Sequence, residues 1–137
     1  MTQEDKQLLL KDLCARLPYG VKVHCTWAYF QEGSGEDDGI VEDIDIAKKQ
    51  IRFKRKDFST NIPFNHIDGT VLPYLSPMSS MTEEEKKEWD EITDMTGEFI
   101  DVDDVEVGFD WLNAHHFDYR GLIEKGLALE ALKDMYK

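Results

Sequence analysis

Ile40-Val-Glu-Asp-Ile-Asp-Ile-Ala-Lys-Lys-Gln-Ile-Arg-Phe-Lys-Arg55 holds two alternating apolar–polar runs about a lysine turn. That is the pattern of an antiparallel hairpin with one buried side. A four-residue turn at Ala47-Lys48-Lys49-Gln50 sets Ile46 opposite Ile51 and Ile44 opposite Phe53 on the apolar side. On the other side Asp45 meets Arg52 and Asp43 meets Lys54. Opposite charges facing across a strand pair contribute roughly 0.2–1 kcal/mol each. A one-residue slip would turn the apolar side outward. This hairpin commits the first half of the chain to a sheet.

The same register bears on function. Lys48 to Lys56, taken alone, is a basic run with an aromatic inside it, the composition of a nucleic-acid patch. Cross-strand pairing neutralises Arg52 and Lys54, which leaves Lys48, Lys49 and Lys56 as the candidate nucleic-acid contacts. Structure accounts for the run better than nucleic acid does.

Upstream, Val21, Val23, Cys25, Trp27 and Tyr29 alternate with polar or small residues and predict another strand. Gln31 to Gly39 is glycine-rich and acidic, which predicts an exposed loop. Its adjacent Glu36, Asp37 and Asp38 miss the alternating ligand spacing of a calcium loop. Before these lies a helix from about Thr2 to Leu17, capped by Thr2, with an apolar stripe of Leu10, Leu13, Cys14 and Leu17. Pro18 and Gly20 end it. Cys14 and Cys25 form no metal-type pattern and are expected to be reduced and buried.

Downstream, Phe58, Thr60, Ile62 and Phe64 continue the alternation, with Pro63 assigning that strand to an edge. Val71–Leu75 adds a short extended segment. The fold class is therefore α+β: an N-terminal helix with a small antiparallel, SH3-like or barrel-like sheet over 1–77, then an acidic helical region over 78–137 packed on it. In the second region Thr82-Glu-Glu-Glu85 is a capping box that opens a helix to about Thr96, stopped by Gly97. Trp89, Ile92 and Met95 form its narrow apolar stripe, a candidate interaction surface. Val102, Val105, Phe109, Leu112 and His116 recur at helical spacing and predict a helix over 101–116. Asp118 then caps a second short helix from Tyr119 to near Gly126, whose Leu122, Ile123 and Leu127 pack back on Phe109, Trp111 and Leu112.

Charge separates the two regions. Residues 1–75 carry 10 bases and 12 acids, whereas residues 76–137 carry 6 bases and 17 acids, within a net charge of −13. The acidic half repels nucleic-acid phosphates and anionic lipid. No signal-like N-terminus and no membrane-length apolar run appears, so a cytoplasmic protein is expected, as monomer or homodimer.

His115 and His116 invite a metal reading, with Asp110 and Asp118 as further ligands. Adjacent helical residues point about 100° apart, so the two rings do not readily share one ion; His-x-x-x-His spacing would. A helix–turn–helix DNA reader needs exposed bases, and this hairpin offers Arg120 and Lys125 only. No nucleophile–base motif, phosphate loop or dinucleotide fingerprint is present, so no cofactor is expected.

Three segments together, Leu17-Pro-Tyr-Gly-Val-Lys-Val23, Pro73-Tyr-Leu-Ser-Pro-Met-Ser-Ser-Met-Thr-Glu-Glu-Glu85 and Trp111 to Leu129, resemble a family of small uncharacterised proteins from gut anaerobic bacteria and their phages and prophages. The resemblance implies a mobile-element context and assigns no site. The expected function is a non-catalytic protein-interaction module with a protein partner of unknown identity. Alternatives are an acidic nucleic-acid mimic that inhibits a basic host protein, a weak nucleic-acid binder acting through the sheet, and a metal-dependent hydrolase.

Overall fold

A computed structural model describes residues 2–29, 33–56, 58–67, 70–93 and 102–136. Thr2 caps α1 (Gln3–Arg16) through a reciprocal box with Asp5. The antiparallel strands β1 (Lys22–Tyr29), β2 (Gly33–Asp45), β3 (Gln50–Arg55) and β4 (Phe58–Pro63) follow as a meander. β5 (Val71–Leu75) returns antiparallel to β1, and a two-residue β6 (Leu129–Glu130) lies parallel to β5. Between them come α2 (Glu83–Ile92) and α3 (Val102–Ala114). The sheet order is β4-β3-β2-β1-β5-β6. It is an open mixed sheet, so the expected barrel does not close; its two sides end in different strands, β4 and β6.

The hairpin forms, but two residues out of the expected register beside the turn and three out beyond a bulge. Ile44 faces Ile51, Val41 faces Phe53, and Ile40 faces Lys54. A bulge at Glu42 absorbs the extra residue, and the turn shifts back, leaving Ile46 62% exposed. Alternation cannot distinguish registers two residues apart, because both keep the same side chains on the same face, and beyond the bulge Val41 turns inward and Ile40 outward. Asp43 now lies opposite Arg52, while the ion pair of Arg52 is with Glu42 at 3.2 Å. Lys54 therefore loses its expected acidic partner. The expected loop before Gly39 is also corrected: β2 begins at Gly33, and its residues Gly33–Ile40 pair with the whole of β1.

The inner sheet face is apolar. Val21, Val23, Cys25, Val41, Ile51, Phe53 and Val71 pack with Leu9 and Leu13 of α1. The stripe of α1 is rotated from the expected one, with Leu9, Asp12, Leu13 and Arg16 buried and Cys14 exposed. A helix face at this 3–4 spacing tolerates Asp12 and Arg16 inside because they neutralise each other, Oδ2 to Nε at 2.9 Å. Arg120 donates to the other Asp12 oxygen at 2.7 Å, and Arg16 donates to the Phe117 carbonyl at 2.5 Å. This charge cluster ties the first helix to the last third of the chain.

That last third differs from the expected helical hairpin. α2 ends at Ile92, and Met95 and Gly97 lie outside the described residues, as does position 101, where the next helix is expected to start. Residues 119–126 form successive turns rather than a helix. Asp118 still acts as a cap, with both carboxylate oxygens accepting from the backbone of Leu122 and Ile123. Leu122, Leu127 and Ala128 pack on Leu75 and Leu8, whereas Phe109 is 40% exposed. The segment docks on β5, where Ser76 exchanges backbone bonds with His116 and Asp118 and Ala131 donates to the Leu75 carbonyl. Among the described residues no helix is long and apolar enough to cross a membrane.

Candidate functional site

The alternation that buries one sheet face places Lys22 and His24 of β1, Asp38 and Ile40 of β2, and Lys54 of β3 on the other. α1 covers the inner face only. Across the outer one runs the C-terminal segment, pinned by Tyr136. Its hydroxyl accepts from the Lys22 amide at 3.0 Å and donates to the Tyr74 carbonyl at 2.6 Å. The Lys22 ammonium donates in turn to the Met135 carbonyl. Between this segment and the β1–β3 surface lies a cleft of about 580 Å³, the size of a small-ligand site.

Four lysines line the cleft: Lys22, Lys54, Lys56 and Lys133. Lys54, Lys56 and Lys133 are exposed and enter no ion pair among the described residues. Ile40, Leu132 and Met135 supply apolar lining. Ile40 is 43% and Leu132 66% exposed. Gly39 lies buried in the floor, where a Cβ would meet the Lys54 carbonyl at 2.8 Å. Only glycine allows β2 and β3 to approach this closely here.

The acid in the cleft is already engaged. Asp38 accepts from the Tyr74 hydroxyl at 2.8 Å and bonds the His24 ring at 2.9 Å. Glu36 bonds the other ring nitrogen of His24 at 3.2 Å. The Asp38 bond first, then Glu36, raise the His24 pKa against partial burial. Tyr74 is pushed up to about 12 by burial and by the neighbouring Asp38. The cleft thus has a hydrogen-bonded carboxylate on its floor and lysines around its edge. It can hold an anionic group with an adjoining apolar one.

The residues singled out in the sequence are dispersed. Lys48 and Lys49 occupy the β2–β3 turn and Lys56 the β3–β4 turn, at opposite ends of a strand and roughly 20 Å apart. Only Lys56 reaches the cleft. Glu36 and Asp38 share one face of β2, and Asp37 points to the other, where Arg55 pairs with it at 3.3 Å. Trp89 stacks on Trp111 at 5.5 Å, so the stripe of α2 packs against α3, with Ile92 half-buried.

His115 and His116 face different neighbours. His115 bonds the Trp111 carbonyl at 2.9 Å and stands 3.9 Å from Glu88. His116 is buried, in the left-handed region at φ 57°, and stacks on Tyr136 with ring centroids 3.7 Å apart. Burial first, then the Arg16 charge, lower its pKa to about 4, while a hydrogen bond to the Tyr19 backbone opposes them. Asp110 is exposed and Asp118 is occupied as a cap. Among the described residues no group of three His, Cys, Asp or Glu side chains is placed to hold a metal ion.

The sequence offered two signals for the cleft, Lys22 and His24 on the polar phase of β1 and Lys54 on that of β3. The assumed Asp43–Lys54 pairing concealed the second. Lys133 and the apolar residues from the C-terminal segment carry no periodic signal, because that segment is irregular. No family model, curated protein or solved structure matches the chain.

Proposed function

We propose that this chain is a non-catalytic interaction module that takes up an anionic part of its partner in the lysine-lined cleft. One observation carries this reading: four lysines converge beside exposed apolar side chains on a protein whose net charge is −13. At physiological ionic strength charges are screened over about 8 Å. A ligand confined to the cleft therefore feels the four lysines, while a long polyanion also meets the acidic helices and is repelled. This favours a short anionic element over nucleic acid. A mobile-element origin is compatible with such a module and is part of the same proposal.

The test is a nuclear magnetic resonance titration of the labelled full chain with tetraglutamate at about 50 mM salt, a condition that preserves surface electrostatics. Amide shifts should centre on Lys22, Ile40, Lys54 and Lys133. Shifts absent at saturating peptide, or centred on α2 and α3, would overturn the reading.

A further inference from the structure

The backbone register arranges the cleft more specifically than its charge alone. Lys22 pairs with Ile40 across β1 and β2, and Ile40 pairs with Lys54 across β2 and β3. The three residues form one rung, cation–apolar–cation, over adjacent strands. Strands lie about 4.8 Å apart, so each lysine Cα stands roughly that far to either side of Ile40. Lys56 extends the cationic edge along β3, and Lys133 supplies a cation from the C-terminal wall.

We infer that the cleft recognises a short acidic segment of a protein, in which an apolar side chain is flanked by carboxylates. The inference rests on the interaction-module reading and names its occupant. In an extended segment, residues two positions either side of a central one share its face at about 6.6–6.8 Å. Carboxylates there meet Lys22 and Lys54 when the central side chain covers Ile40. The flexible lysine stems accommodate the difference in spacing. Further acids reach Lys56 and Lys133. Charge complementarity selects the segment, and the exposed area of Ile40 and Leu132 gives its apolar residue something to cover. A simple inorganic anion uses the lysines and leaves that area wet.

Calorimetric titration of the full chain distinguishes these cases. The probes are three end-blocked pentapeptides, Glu-Glu-Leu-Glu-Glu, Gln-Gln-Leu-Gln-Gln and Glu-Glu-Gly-Glu-Glu, with tripolyphosphate and five-nucleotide oligothymidylate as comparisons. The leucine peptide should bind best, the glycine peptide at least about fivefold more weakly, and the glutamine peptide not measurably. Ile40→Ser, a change at an exposed position, should remove the advantage of leucine over glycine while the melting temperature holds. Equal binding of the leucine and glycine peptides would overturn the segment class. So would tighter binding of the oligonucleotide. If tripolyphosphate shifts the cleft resonances and no peptide does, the segment class falls and the anion-binding cleft stands. If no anion binds, both fall.

Discussion

Two histidines of this molecule are driven in opposite directions, and each gives a pH signature. His116 is buried, and its pKa falls from 6.5 to about 4. Between those values the unfolded chain binds the proton that the folded one excludes, so stability falls as pH drops through that window. The full effect is about 3 kcal/mol. Denaturant titrations from pH 4 to 7 should show it, and His116→Leu should flatten the profile. His24 is raised by Asp38 and Glu36, so its contribution is complete below its ordinary value and fades as pH rises through the raised one. Loss of that imidazolium also removes a positive charge beside the cleft. Affinity for the acidic pentapeptide should therefore decline over the same rise in pH, and in His24→Gln this decline should vanish. Gly39→Ala makes a third residue-scale prediction. The added methyl meets backbone that cannot rotate away, so a loss of about 1–3 kcal/mol is expected in equilibrium unfolding.

Elements with a strict period were legible in the sequence; their partners were less so. Thr2 and Thr82 announced their helices, and both capping boxes are present. The strands from Lys22, Gln50 and Phe58 follow from alternation, and Val71–Leu75 reads as a short extended segment. The β2–β3 register did not, because Glu42 bulges and a two-residue shift preserves the apolar face. The buried face of α1 was hidden because Asp12 and Arg16 look like solvent residues until each is seen to meet the other's charge. Asp12→Ala would leave Arg16 buried without its carboxylate, and a loss of about 3–5 kcal/mol is expected. The segment 119–126 carries helix signals in the sequence because Asp118 does cap and Leu122 does turn inward. Leu122→Ala should cost roughly 2–5 kcal/mol, since that side chain is fully buried against Leu75 and Leu127. Half-exposed Trp111, stacked on Trp89, should cost less when truncated.

At the scale of the molecule, the sheet separates two environments. Its inner face is a packed apolar core under α1, and its outer face is a lysine-lined cleft closed on one side by the C-terminal segment. The acidic helices make the remainder of the chain strongly negative, so the cleft is a local reversal of sign. The proposed function requires the partner to dock at that reversal. Two double variants test it directly, because both alter net charge equally. Lys54→Glu with Lys56→Glu reverses two lysines of the cleft, and Lys48→Glu with Lys49→Glu reverses two at the other end of β3. Binding of the Glu-Glu-Leu-Glu-Glu peptide, measured side by side at about 50 mM salt, should be abolished in the first and stay within about twofold of the unaltered protein in the second. Equal losses in both, or a greater loss in the second, would contradict the assignment of the site to the outer face of the sheet.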